Sequence, residues 1–149
     1  DEAKELLDTA AINTAIQNND AVTLQAIIVE YGTSDFNNLT RAQREELVQF
    51  IIDEALAKEK YEPVTGTDAF GESISGEVES YESAIDAVNT ADTNTDMVEA
   101  LVGIHYDTFD DLTDVQKLNV AEKLVSIKEK SFTTFAEIIV EIDRAIAQL

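Results

Sequence analysis

At 149 residues with 44% apolar content, the chain has room for one ordinary domain or two small ones and enough oil to fill a core. Thirty-one acidic against ten basic residues give a net charge of −21, which repels phosphate backbones and anionic membrane surfaces and argues against nucleic-acid partners. The absence of cysteine removes disulfides, thiol nucleophiles and thiolate metal sites, and no apolar run approaches the roughly 18 residues that cross a bilayer.

The chain opens at Asp1 with no charged-then-apolar leader, and so reads as a mature or excised segment. Its first signal is the helical stretch around Ala11-Ile12. Asp20 then offers an N-cap to a second helix whose Leu24, Ile27, Ile28 and Tyr31 share one face. Phe36 and Leu39 lead into Thr40-x-x-Gln43, a capping box that starts a third helix. The segment Tyr61 to Thr67 holds the only proline and reads as the most flexible connection.

Phe70, Ile74, Val78, Tyr81, Ile85 and Val88 then continue one apolar stripe, predicting a helix over 68–90 of about 23 residues and about 34 Å. Gly71 and Gly76 weaken it, at up to about 1 kcal/mol each against alanine. Thr93-x-x-Asp96 opens a helix carrying Met97, Leu101 and Ile104. Phe109 and Leu112 precede a second box at Thr113-x-x-Gln116. Thr134-x-x-Glu137 caps a last helix with Phe135, Ile138, Ile139, Ile142, Ile146 and Leu149 as its stripe.

These elements repeat. An offset of 84 − 11 = 73 lays Ala11-Ile12 on Ala84-Ile85, Leu24 on Met97, Ile28 on Leu101, Phe36 on Phe109, Thr40 on Thr113 and Gln43 on Gln116, with no gap. Ala145-Ile146 reads as the opening of a third copy, at a shorter spacing of 146 − 85 = 61. The expected fold is all-α: two tandem helical-bundle repeats, 1–79 and 80–149, sharing the helix at about 68–90 in the manner of a spectrin-type rod.

Chemistry is hard to place on this chain, and no catalytic, cofactor-binding or metal-binding residue is assigned; the expectation is that it is not an enzyme and needs no cofactor. His105, the only histidine, falls at the loop position that Gly32 holds in the first repeat. Gly66, Gly71 and Gly76 lie among Asp and Glu, the wrong electrostatics for a phosphate loop. Asp107, Asp110, Asp111 and Asp114 cluster near Phe109 and leave calcium open. However, Ser34, Asn37 and Asn38 replace the first three in the other repeat, so a repeat-encoded site is not expected. Eight of the ten basic residues fall in 41–60 and 117–130, with none from Tyr61 to Gln116, a segregation best explained by neutralisation within the molecule.

The motifs A-I-N-T-A, D-x-V-T-L-Q-A-I-I and F-N-N-L-T-R-A-Q-R-E-E-L-V, followed by an amphipathic closing helix, resemble the tandem helical repeats of Gram-positive surface-layer (S-layer) and related cell-surface proteins, over nearly the whole chain. The closing E-I-D-R-A-I-A-Q-L is also similar to helical modules of wall-attached adhesins. The resemblance implies a secreted, acidic, structural array at the cell surface or cell wall, acting as a stiff spacer or lattice-forming module. Its partners would be neighbouring repeats or copies of the same surface protein, or another surface or matrix protein. The alternatives are an adhesin-type protein-binding module, with an apolar patch near Tyr61, Tyr81 or Tyr106, and a calcium-dependent assembly module.

Overall fold

The computed structural model describes residues 2–31 and 34–149, and among these the protein is all-α, with nine helices and no strand. Two compact units divide the chain, Asp1–Ser80 and Tyr81–Leu149.

In the first unit, α1 (Glu2–Gln17) ends in a turn where Asn19 takes a positive φ of 53°. Asp20 follows and caps α2 (Ala21–Tyr31): its Oδ1 accepts from the Thr23 amide at 3.2 Å and its Oδ2 from the Thr23 hydroxyl at 2.6 Å. After the single turn α3 (Ser34–Asn37), Thr40 starts α4 (Arg41–Leu56) with the predicted reciprocal box. Thr40 Oγ1 accepts from the Gln43 amide and Gln43 Oε1 accepts from the Thr40 amide. The core is drawn from every element: Ile12, Leu24, Ile28, Phe36, Leu47, Val48, Ile52, Ile74 and Val78 are essentially sealed from solvent. Each such side chain contributes about 1.5–3 kcal/mol of burial.

Helix α5 (Thr67–Thr90) runs 24 residues without a break, so its first part belongs to the first unit and its remainder to the second. All six predicted stripe residues, Phe70 through Val88, are buried. Both glycines sit inside this helix. A Cβ on Gly71 would meet the Tyr31 carbonyl at an ordinary 3.5 Å, and one on Gly76 would meet nothing within 4 Å.

The second unit adds α6 (Asn94–Val102), the turn α7 (Asp107–Asp110), α8 (Asp114–Val125) and α9 (Phe135–Ile146). Full capping boxes open α8 at Thr113/Gln116 and α9 at Thr134/Glu137. At α6 only half a box forms: Thr93 accepts from the Asp96 amide. The return bond expected of a box is absent, because an aspartate is one methylene shorter than the Glu or Gln that closes it. Phe109, Met97, Leu101, Val120, Ala121, Ile138 and Ile142 form the core, and Tyr81 packs on Phe135 with ring centroids 4.8 Å apart.

Side-chain hydrogen bonds revise the sequence register at two places. Asn13 and Asn89 make the same paired contact, each binding both the amide and the carbonyl of one residue in the loop before a closing helix. Asn13 holds Val64 (2.7 and 3.0 Å) and Asn89 holds Phe132 (2.8 and 2.9 Å). The offset is therefore 89 − 13 = 76, which lays Ala11-Ile12-Asn13-Thr14-Ala15 on Ala87-Val88-Asn89-Thr90-Ala91 rather than on the stretch from Ala84. The extra three residues are absorbed where α1 runs on to Gln17 and turns at Asn18-Asn19, whereas α5 stops at Thr90.

The closing helices are capped at Gly66, whose carbonyl accepts from the Phe70 amide, and at Thr134, an offset of 134 − 66 = 68. Ala145-Ile146 consequently matches Glu77-Val78 in its place along the closing helix. Leu149 lies beyond α9 and is half exposed, so the stripe ends at Ile142 and Ala145.

Candidate functional site

The acidic loop is the first place to look for chemistry. Asp107 and Asp110 lie in α7, Asp111 follows it, and Asp114 opens α8. Among the described residues, no three His, Asp or Glu side chains come together as a set that could hold a metal ion. Asp107 and Asp114 instead sit at the starts of α7 and α8, where the helix dipole favours a carboxylate, while Asp110 ends α7 and Asp111 is its C-cap. Asp110 Oδ1 is buried without a hydrogen-bond partner, in a residue that is otherwise partly exposed. In the first unit Arg44 reaches back over the equivalent loop, donating from Nη1 to the carbonyls of Leu39 (2.8 Å) and Asn37 (3.3 Å).

His105 stands just past α6 at a positive φ of 60°, its amide bonded to the Val102 carbonyl at 3.1 Å. That is a helix-terminus role, and its sequence counterpart Gly32 lies outside the described residues.

The tyrosines offered as a binding patch are committed internally, which corrects that expectation. Tyr81 is 3% exposed in the second core. Tyr61 is half-buried and its hydroxyl donates to Asn13 Oδ1, and burial pushes its phenol above the ordinary range. Tyr106 donates to Asp143 at 2.6 Å. The hydroxyls of Tyr61 and Tyr106 are thus bonded within the chain and the Tyr81 ring is in the core, while the Tyr61 and Tyr106 rings stay partly exposed. The largest exposed apolar side chains are elsewhere: Leu6 and Leu7 on α1, each 72% exposed, and Val22 on α2.

Charge concentrates in one small network. Lys4 Nζ binds Asp8 (2.8 Å), Glu30 (2.8 Å) and the Tyr31 hydroxyl (2.6 Å), lies over the Tyr31 ring, and Tyr31 in turn donates to Asp8. Asp8, Glu30 and Tyr31 together raise the Lys4 ammonium above its usual range. Lys4, then Tyr31, hold the Asp8 carboxyl below its own. The network ties α1 to the end of α2 at the surface.

Elsewhere the close ion pairs are local, Arg41–Glu45, Lys58–Glu62 and Arg144–Glu141, each within one or two turns of chain. Among the described residues Lys117, Lys128 and Lys130 form no close ion pair. Of the pairs that form, only Lys58–Glu62 joins a basic block to the stretch from Tyr61 to Gln116, and it does so at their common boundary.

Besides Asp8 and the capping Asp20, two carboxyls depart from the solvated norm. Burial, then the charge of Glu54, raises the Glu77 carboxyl, because α5 carries it toward α4 without a counter-ion. Glu137 is lowered by the Thr133 hydroxyl and amide and by Thr134, as its place in a capping box requires. A surface groove of 310 Å³ lies between the start of α1 and the start of α5, lined by Glu2, Glu5, Leu6, Thr9, Thr65 and Gly66. It brings two carboxylates and two hydroxyls together with no histidine or cation to activate either hydroxyl.

No family model, curated protein or solved structure matches this chain.

The residues that do recur as a pair, Asn13 and Asn89, were not singled out from the sequence. The signal was present: N-T-A stands at 13–15 and again at 89–91, visible once a three-residue gap is allowed.

Proposed function

We propose that the chain is a structural segment of a secreted, S-layer-like bacterial surface protein, built from two tandem repeats and serving as a stiff spacer or lattice-forming module. The observation that carries this reading is α5: one helix of 24 residues supplies buried side chains to both compact units. A helix used in this way resists bending, because a hinge would break backbone hydrogen bonds and strip packed side chains together. The acidic surface keeps an abundant, repetitive protein from precipitating. Its partners are neighbouring repeats or further copies of the same surface protein, and the chemistry is mechanical rather than catalytic.

The absence of native cysteine makes the stiffness directly testable. Spin labels at Glu72→Cys and Asp86→Cys, both exposed on α5, are 86 − 72 = 14 residues apart, or about 21 Å along an unbroken helix. A narrow distance distribution is expected, and a broad one refutes the spacer. Antibody labelling of intact source cells tests location: signal only after permeabilisation refutes the surface assignment.

A protein-binding helical module is the second reading, favoured by the exposure of Leu6 and Leu7 on neighbouring positions of α1. It predicts that L6K/L7K abolishes capture of a matrix or surface protein, whereas a pure spacer is indifferent to the change.

A further inference from the structure

We infer that the two asparagine latches are linked in series, so that damage to the first unit's latch is transmitted to the second unit's, and not the reverse. Asn13 lies on α1 and fastens Val64, two residues before Gly66, the cap from which α5 begins. Tyr61 adds its hydroxyl to the same Asn13 oxygen, so a single side chain holds two points of the segment that leads into α5. Asn89 lies in the last turn of α5 itself and fastens Phe132, two residues before the Thr134 cap of α9. The residue that positions the second closing helix is therefore carried on the first one.

The continuity of α5 sets the direction of the effect. Of the 24 residues of α5, 14 lie in the first unit (80 − 67 + 1) and 10 in the second (90 − 81 + 1). The 10-residue stretch carrying Asn89 is anchored in the second core by Tyr81, Ile85 and Val88. It is continuous with the part of α5 that Phe70, Ile74 and Val78 anchor in the first, so a disturbance at the start of α5 has a helical path to Asn89. Nothing comparable runs the other way, because Asn13 belongs to α1, which has no residue in the second unit. The linkage holds wherever the protein works, and does not rest on the surface-protein reading.

Hydrogen exchange on the full chain tests it, read by mass spectrometry over 64–70 and 132–138. Asn13→Ala removes the bonds to the Val64 amide and carbonyl, and is expected to speed exchange about tenfold at 64–70 and measurably at 132–138. Asn89→Ala is expected to speed exchange at 132–138 and leave 64–70 unchanged. Should Asn13→Ala fail to fold, Asn13→Asp keeps the acceptor oxygen, loses the donations to the Val64 and Thr9 carbonyls, and is expected to give the same pattern more weakly. Effects of either Asn13 variant confined to 64–70, or equal transmission in both directions, overturn the inference.

Discussion

Replacing Gly76 by alanine tests whether α5 is the single helix on which both units depend. Gly76 lies ten residues into α5, is exposed, and has no atom within 4 Å of the position a Cβ would take. Its φ is not positive, so the backbone there asks for nothing that only glycine provides. Alanine should therefore recover the helix-propensity difference, about 0.8–1 kcal/mol, part of it through a less disordered unfolded chain. For a protein of this size that is a rise in Tm of about 2–4 °C. Proline at the same position removes one amide donor and drives its ring into the preceding turn, costing about 3 kcal/mol or more. Urea unfolding followed by far-ultraviolet circular dichroism reads both, with the shift in midpoint interpreted at constant slope. A Gly76→Ala variant that is less stable than the parent, or a Gly76→Pro variant that is not, would mean that α5 is bent or open at its middle.

Three further outcomes follow from the same geometry. Glu77 has a carboxyl raised above its ordinary 4.5 by burial and by Glu54, so the folded state holds its proton to higher pH than the unfolded state does. The ionised form thus costs stability at neutral pH, and that cost disappears as pH falls below 4.5. Glu77→Gln should be the more stable protein at pH 7 by urea midpoint and lose its advantage below about pH 4; an advantage that grows on acidification contradicts this. Thr113→Ala removes the acceptor for the Gln116 amide and should cost about 1 kcal/mol, with Thr113→Ser restoring most of it in thermal melts. Leu47→Ala, at a position 1% exposed in the first core, should cost about 2–5 kcal/mol, and a loss below 1 kcal/mol would show that this helix does not pack as described.

The amino-acid sequence by itself determined the helices and most of their beginnings. The spacing of Leu24 and Ile28, of Met97 and Leu101, and of the stripe from Phe70 to Val88 can be satisfied only by burying one face of a 3.6-residue helix. Thr40, Thr113 and Thr134 could be read as caps because a capping box closes within four residues and needs no partner from elsewhere. The half box at Thr93 marks the limit of that reading, since Asp96 in the place of Glu or Gln does not supply the reach of the return bond.

Only the tertiary structure decided what joins distant segments. The bonds from Asn13 to Val64 and from Asn89 to Phe132 span 51 and 43 residues, and no periodicity reports a contact of that range. Those bonds moved the register of the first helix by one turn, which burial alone did not distinguish because Ile85 and Val88 are both buried. The commitment of Tyr61, Tyr81 and Tyr106 to internal partners was hidden for the same reason: a tyrosine looks alike in sequence whether it meets water or a side chain brought over it from a distant segment. Local patterns fix which stretches coil, because the forces that coil them act over a few residues. Which side chains lock those coils together depends on groups brought near only after the chain has packed.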